Sequence, residues 1–191
     1  MDQHHYLLIL NFIVMDPKPP KAFSETYESL IKTSEECLSK GSTISALVII
    51  YASIDGFSDL TNQTNNSGKI VFMNWVKNWM LTSYPLPCNE MDLYSARCGL
   101  LHLQNSDSNL IKESKAKRLM YCWGNAESYV LQFAIDTIGK EAIAIKIEDI
   151  LNSFKLAMEN CLIAIYTDKE WKEMFESKCS RLFVDVGLLH K

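Results

Sequence analysis

Two side chains suited to phosphate and acid–base chemistry lie near the middle of the chain. The segment "ARCGLLH", residues 96–102, contains Arg97 and His102, and the 191-residue chain has only four histidines. A guanidinium stabilises negative charge that builds up on a phosphoryl group, and an imidazole transfers protons near neutral pH. Cleavage of RNA needs little more, because the 2′-hydroxyl of the RNA supplies the nucleophile. The pair is therefore a candidate site for RNA cleavage.

The spacing of the two residues sets a geometric condition. On an ideal α-helix, five residues correspond to a rotation of about 500°, so Arg97 and His102 would point roughly 140° apart. Two arrangements bring them to one target. Either the helix bends at Gly99 or frays at His102, or the side chains meet across a dimer of two such helices.

A carboxylate in an apolar helix is the natural partner of Arg97. Asp55 continues an inward stripe formed by positions 44, 47, 48 and 51, where another apolar residue is expected. A buried charge without a partner is costly, and a guanidinium cannot lose its charge, so we expect the two to pair. Two interpretations stay open: Asp55 orients a catalytic Arg97, or the two form a purely structural ion pair while His102 lies at the surface.

Two neighbouring residues are supporting candidates for the same site. Cys98 follows Arg97, and a nearby cation lowers the pKa of a thiol, which favours an activated thiolate; a small buried cysteine is the commoner alternative. Tyr51 lies one turn before Asp55. A core position is the simpler interpretation of Tyr51, and a role at the site is the alternative.

The most basic stretch of the chain follows the motif. It is "KESKAKR", Lys112–Arg118, in a protein with a formal net charge of -4. An acidic protein has no general attraction for nucleic acid, so contact with RNA requires a local basic patch. The candidate RNA-binding residues are Lys112, Lys115, Lys117 and Arg118, and a solvated face is the alternative interpretation.

The segment "RCGLLH" resembles the R-x4-6-H motif of the HEPN superfamily, and the resemblance covers roughly residues 24–111. It implies a helical bundle with the motif late in the bundle, and a metal-independent endoribonuclease without a cofactor, usually a toxin or defence protein. It also implies a homodimer in which both motif copies line one cleft, with Arg97 and His102 as the catalytic pair. An antitoxin protein is a further implied partner, although Gln104 stands where the family's nucleotidyltransferase-regulated toxins have a tyrosine.

The spacing of apolar residues predicts a mainly α fold. Helical periodicity runs through most of the chain, and two short alternating segments predict a small β element in the C-terminal part. We expect a single domain over residues 24–191, with an antiparallel helical bundle at 24–111 and a mixed helix and small-sheet part at 112–191. The expected helices are 24–41 with Ser24 as its cap, 43–60, 69–81, 89–104 with Asn89 and Asp92 as a capping pair, one ending near Tyr166, and a last one capped by Thr167 and Glu170; the expected strands are 118–123 and 141–147, with 181–186 as a third candidate.

The third predicted helix carries an aromatic stripe. Trp75 and Trp79 lie one turn apart in "KIVFMNWVKNWML". Such a stripe is usually part of the core, and a subunit interface is the alternative.

The first 23 residues and the cysteines bear on the class of protein. The run "YLLILNFIV" is too short to span a bilayer, lacks the basic flank of a targeting signal, and precedes a proline-rich stretch, so residues 1–23 are expected to be an apolar element and a linker. The six cysteines show no C-x-x-C spacing. We therefore expect free thiols, no metal site, and a cytoplasmic protein that does not contact a membrane.

Overall fold

The computed structural model describes residues 18–103 and 109–182, with residues 102 and 103 described by their backbone alone. This part of the chain contains eight helices and one two-stranded sheet, so the predicted mainly α fold with a small β element is confirmed. The helices are α1 (Lys21–Ser39), α2 (Thr43–Thr61), α3 (Lys69–Trp75, continued by a π-helical turn at Val76–Met80 and by Leu81–Ser83), α4 (Glu90–Cys98, continued by a π-helical turn at Gly99–Leu103), α5 (Asn109–Lys112), α6 (Ser128–Thr137), α7 (Ile147–Thr167) and α8 (Lys169–Cys179); the strands are β1 (Arg118–Cys122) and β2 (Ala142–Lys146).

The start of α1 differs from the prediction. The helix begins at Lys21, directly after Pro20, whose side chain makes no capping hydrogen bond. The predicted cap at Ser24 is therefore wrong, since Ser24 lies within the first turn and its backbone N–H donates to the Pro20 carbonyl. The fixed φ of proline suits the start of a helix. The earlier start brings Phe23 into the core, where its side chain is fully buried.

A cluster of aromatic rings holds five of the helices together. Phe57 of α2 lies at its centre, with ring centroids 5.5 Å from Tyr27 of α1, 5.2 Å from Trp75 of α3 and 6.1 Å from Phe154 of α7. These three pairs are close to edge-on, the arrangement that aromatic quadrupoles prefer. Phe175 of α8 joins the cluster through Phe23. Trp75 is thus a core residue, as predicted.

Helix α2 is the central element of this core. It is long and apolar enough to cross a membrane by length and composition alone, a property that the core helices of soluble proteins share. Ile50, Ile54 and Phe57 on α2 are fully buried among the other helices. The burial of α2 inside the fold is compatible with a soluble protein.

The last helix satisfies the open carbonyl groups at the end of α2. The indole Nε1 of Trp171 donates to the Thr61 carbonyl at 2.8 Å. The Lys178 ammonium donates to the carbonyls of Asp59 and Asn62 at 2.7 and 2.9 Å. The last carbonyls of a helix have no partner within the helix, and a cation there also complements the helix dipole. Helix α8 therefore fixes the end of α2 in place.

The N-terminal cap of α8 lies one residue from the predicted position. Asp168 is the cap, and its carboxylate accepts from the backbone N–H of Trp171 at 3.0 Å. The predicted capping box of Thr167 and Glu170 is wrong because Thr167 is the last residue of α7 and its hydroxyl donates to the Ala164 carbonyl. Aspartate is among the strongest capping residues, and it stands directly after the threonine.

The two predicted strands form a parallel pair. Arg118 pairs with Ala142, and the register continues to Cys122 opposite Lys146. Parallel strands need a crossover connection, usually a helix. Helix α6 provides this connection, which was not predicted because the apolar residues of α6 do not keep to one face. Of the third candidate strand, residues 181 and 182 lie in a turn and residues 183–186 are outside the described residues.

A side chain of α6 covers the outer edge of β2. The Gln132 amide accepts a hydrogen bond from the Ala144 N–H at 2.8 Å and donates to the Ala142 carbonyl at 3.3 Å. A further strand beside β2 would need both of these groups. Gln132 also donates to Asp136, which fixes the orientation of the amide.

Asp92 joins the start of α4 to the start of β1. The predicted capping pair is confirmed, since Asn89 accepts from the Asp92 N–H at 2.9 Å and Asp92 accepts from the Asn89 N–H at 3.1 Å. The second carboxylate oxygen of Asp92 accepts from the Lys117 N–H at 2.7 Å. The side chain is only 2% exposed. One buried carboxylate therefore positions both the motif-bearing helix and the sheet.

We predict that Asp92→Asn lowers the free energy of unfolding by about 2 kcal/mol, because an amide N–H₂ would face a backbone donor that has lost its acceptor. Urea denaturation followed by circular dichroism measures the change. Glu90→Gln is the matched control: it makes the same chemical change in the same helical turn, and we expect an effect within about 0.5 kcal/mol. Equal effects of the two substitutions would contradict the role assigned to Asp92.

Candidate functional site

Arg97 of α4 and Asp55 of α2 form a salt bridge. The Arg97 Nη2 atom lies 2.5 Å from Asp55 Oδ2, and the two side chains are 15% and 33% exposed. Burial alone would lower the pKa of Arg97, but the hydrogen bond and the negative charge of Asp55 outweigh it, so the net shift is upward. The pairing expected from the sequence is thus present, at the border between core and solvent.

An aromatic ring flanked by two cations lies next to this salt bridge. The Tyr94 ring centroid is 5.9 Å from the Arg97 guanidinium carbon and 5.7 Å from the Lys69 ammonium nitrogen. Phe72 packs against the same ring edge-on at 5.6 Å. Both cation distances are within the range of cation–π attraction. The Tyr94 ring therefore joins Lys69 to Arg97, and Lys69 is exposed to solvent.

The Tyr94 hydroxyl is held in its protonated form. Burial of the group raises its pKa, and the nearby Cys98 thiol and Asp55 carboxylate raise it further, against the opposing effect of Arg97. A protonated phenol donates hydrogen bonds. Sequence reasoning did not single out Tyr94 as a site residue or Lys69 at all; the one available signal was that Tyr94 stands one helical turn before Arg97.

The backbone that carries His102 departs from α-helical geometry. Directly after Cys98, the helix widens into the π-helical turn Gly99–Leu103. In a π-helix, hydrogen bonds join residues five apart, so such residues lie more nearly above one another than in an α-helix. The wide turn therefore reduces the angle expected between Arg97 and His102. The side chain of His102 is outside the described residues.

Cys98 is half-buried beside the salt bridge. Its thiol is close enough to the side chains of Arg97 and Tyr94 to raise the pKa of both. All six cysteines are free thiols, as predicted. Cys98 and Cys37 are partly exposed, whereas the other four are buried. The reactivity of the Cys98 thiol therefore depends on the environment around Arg97.

Tyr51 lies deep in the core. Its side chain is fully buried, and its hydroxyl is 3.0 Å from that of Tyr121 in β1. Burial raises the pKa of Tyr51 and of Tyr121, so both hydroxyls stay protonated. The structure thus places Tyr51 in the contact between α2 and the sheet.

The four basic candidates of the stretch after the motif lie in different settings. Lys112 is exposed at the end of α5, and Lys115 is exposed and forms a 2.7 Å ion pair with Glu113. Contact with Lys115, and to a lesser degree the charge of Lys69, lowers the pKa of Glu113. Lys69 therefore interacts both with Glu113 in the basic stretch and with the Tyr94 ring. The other two candidates are the exposed Lys117 and the half-buried Arg118, which begins β1.

Comparison with known proteins adds no relative to this description. No family model, curated protein or solved structure matches the chain. Within the described residues, no three His, Cys, Asp or Glu side chains form a group that could hold a metal ion. The function of the chain is therefore inferred from its own residues and their geometry.

We predict a measurable coupling between Asp55 and Arg97. Asp55→Asn removes the charge that pairs with the guanidinium from α2 and should lower the free energy of unfolding by about 1 to 2 kcal/mol, a range set by the partial exposure of the pair. A double-mutant cycle with Arg97→Met should give a coupling of roughly 1 kcal/mol. Asp59→Asn, at an exposed position one turn further along α2, is the matched control. A coupling near zero would show that the salt bridge contributes nothing to stability.

We also predict a graded reactivity of the thiols. Burial raises the pKa of Cys88, Cys161 and Cys179 to about 12, so these three thiols should remain protonated and shielded at pH 8. Iodoacetamide should modify Cys37 and Cys98 first in the folded protein, as peptide mass spectrometry would reveal. Unfolding in urea should expose all six cysteines to the reagent. Labelling of Cys161 as fast as Cys98 in the native state would rule out the described packing.

Proposed function

We propose that the protein is a HEPN-like, metal-independent endoribonuclease that acts in the cytoplasm as a homodimer, with Arg97 and His102 as its catalytic pair. One observation carries the proposal: the Arg97 guanidinium is held by Asp55 beside the Tyr94 ring and Lys69, directly before the wide turn that contains His102. A toxin or defence role, with an antitoxin protein as partner, belongs to the same proposal through the family resemblance.

The proposed reaction uses only groups of the protein and of the RNA. The His102 imidazole takes the proton of a 2′-hydroxyl, and the 2′-oxygen attacks the adjacent phosphorus. The bond from phosphorus to the 5′-oxygen breaks, and the imidazolium returns the proton to that oxygen. The products are a 2′,3′-cyclic phosphate and a 5′-hydroxyl. Arg97 stabilises the charge that develops on the phosphoryl oxygens.

The residues around Arg97 fit this task. Asp55 fixes the orientation of the guanidinium, which lowers the entropy lost when a phosphate binds. The Tyr94 hydroxyl, kept protonated, is a hydrogen-bond donor for a phosphate oxygen. Lys69 is an exposed cation on the same ring. Its charge acts on Glu113, the partner of Lys115, so Lys69 and the basic stretch are the source of the local basic patch that an acidic RNA-binding protein needs.

A homodimer would bring an arginine and a histidine of the motif to the same phosphate, although the two point apart on one helix. The π-helical turn reduces the angle between Arg97 and His102, and a second copy of α4 would supply each histidine with the arginine of the partner. The proposal therefore expects a dimer at micromolar concentration. Multi-angle light scattering measures this directly.

We predict cleavage of single-stranded RNA in the presence of EDTA, with 2′,3′-cyclic phosphate ends detected by mass spectrometry. Arg97→Ala and His102→Ala should each lower the rate at least a hundredfold, because each removes one half of the chemistry. Arg181→Ala, an exposed arginine next to the end of α8, is the matched control and should leave the rate unchanged. RNA with a 2′-deoxy sugar at the cleaved position should stay intact.

A second candidate function is supported by the salt bridge itself. The Arg97 side chain is only 15% exposed and contacts Asp55 at 2.5 Å, as a structural ion pair would. The protein would then be a non-catalytic HEPN-like module for dimerisation or partner binding. RNA that stays intact with the wild type would favour this module, as would unfolding of Arg97→Ala together with no effect of His102→Ala.

A further inference from the structure

A polar cleft opens at the C-terminal end of α2, between α2, α3 and α8. Its volume is about 220 Å³, and its walls include the half-buried indoles of Trp79 and Trp171. The cleft begins close to the candidate site: Ser58, which lines it, donates to the backbone carbonyl of Asp55 at 2.8 Å. Ser58 and Asp55, the residue that holds Arg97, are three positions apart on α2, a rise of about 4.5 Å along the helix axis.

Three tryptophan side chains line the cleft. The ring centroids of Trp79 and Trp171 are 6.1 Å apart, with their planes at 48°. Trp171 is fixed in position by its hydrogen bond to the Thr61 carbonyl. Trp75, the third of these tryptophans, is only 5% exposed. Two partly exposed indoles held in a recess offer a stacking surface for a flat ring.

The remaining rim consists of uncharged hydrogen-bonding side chains. Asn74 and Asn78 on α3 are exposed and lie one turn apart on the cleft side, and Gln63 lines the cleft from the loop after α2. Asn62 shapes this loop through hydrogen bonds to the carbonyls of Thr64 and Asn66. No charged side chain lines the cleft among the described residues. Asn78 and Trp79 lie in the π-helical turn of α3, a feature frequent at functional sites.

This lining selects the chemistry of the ligand. A charged ligand would find no counter-ion in the cleft, and a purely apolar ligand would cover the amides without satisfying them. A nucleobase has a flat π-face for the indoles and an edge of donors and acceptors for the amides. Asparagine and glutamine amides pair with base edges, and unpaired RNA bases stack on aromatic side chains.

We propose that this cleft binds one unpaired nucleobase of an RNA strand, stacked on the indole of Trp79, in contact with Trp171, and hydrogen-bonded at its edge by Asn74 and Asn78. The RNA as ligand rests on the proposed ribonuclease function, and the base would belong to a nucleotide near the one whose phosphate contacts Arg97. The cleft then selects which base lies beside the cleaved bond.

The test uses the four ribonucleosides, which carry no phosphate and so do not depend on Arg97. The indole N–H signals of the four tryptophans are assigned in NMR spectra from single Trp→Phe variants of the full chain. We expect millimolar concentrations of at least one nucleoside to shift the Trp79 and Trp171 signals in a saturable manner. Trp123, which lies outside the cleft and is 44% exposed, is the internal control and should not shift.

Variants at the rim give the second part of the test. Asn78→Ala, at an exposed position, should weaken nucleoside binding about fivefold, and Trp79→Ala about tenfold, as expected for the loss of one base–aromatic stack. Asn160→Ala, on α7 outside the cleft, is the control for an amide lost elsewhere. Circular dichroism confirms that each variant is folded.

The results separate a failure of the nucleobase site from a failure of the ribonuclease function. The absence of shifts with all four nucleosides, or shifts with glucose and not with nucleosides, would overturn the proposal. The nucleoside shifts should persist in Arg97→Ala, so a failed RNA-cleavage assay with intact nucleoside binding would remove the ribonuclease function while keeping the cleft. If cleavage occurs, Trp79→Ala should raise KM with little change in kcat, because the base contact lies away from the reacting bond.

Discussion

The salt bridge between Asp55 and Arg97 places two opposite charges against a strongly apolar helix. The Coulomb attraction at contact is several kcal/mol at the effective dielectric of a protein surface, and most of it offsets the loss of hydration, so the net contribution is about 1 kcal/mol. Its larger consequence is geometric. Because a guanidinium keeps its charge and must stay paired, α4 is held with one face toward α2, and the residues on that face, Tyr94 and Cys98 among them, are fixed around the cation.

The same constraint determines how the rest of the site is supported. Arg97 stays against Asp55 only if α4 does not rotate about its own axis. Asp92 fixes the start of α4 through the capping box and the hydrogen bond from the Lys117 backbone. Helix α2 in turn is fixed by the aromatic cluster around Phe57 and by the side chains of α8 at its C-terminal end. The partly exposed position of Arg97 thus depends on α4, on α2 and on the helices that pack around α2.

Much of this arrangement could be predicted from local sequence patterns. The inward carboxylate at position 55 predicted a cationic partner, Asn89 and Asp92 predicted the start of α4, and alternation at 118–123 and 141–147 predicted both strands. These features depend on residues close together in the chain. Helix α6 was missed because exposed apolar residues such as Tyr129 and Phe133 hide its amphipathic pattern. The cap at Asp168 was missed because Thr167 offered an equally good local pattern.

The missed parts of the site were assembled from distant segments. Lys69 comes to Tyr94 only because Phe72 packs edge-on against the tyrosine ring, and no local pattern specifies that contact. The cleft unites the end of α2, a wide turn of α3 and the start of α8, where Trp171 is about a hundred residues from its partners. Periodicity predicts which face of a helix is buried, whereas the partner of that face depends on the packing of the whole chain.

The covering of β2 by Gln132 limits how the protein can associate with other molecules. A two-stranded sheet normally leaves strand edges on which a strand of another molecule can be added. Here one glutamine amide already occupies a donor and an acceptor at the centre of the outer edge of β2, so sheet extension in that direction is hindered. A protein that binds at this edge of β2 must then make its contacts mainly through side chains, with little backbone pairing.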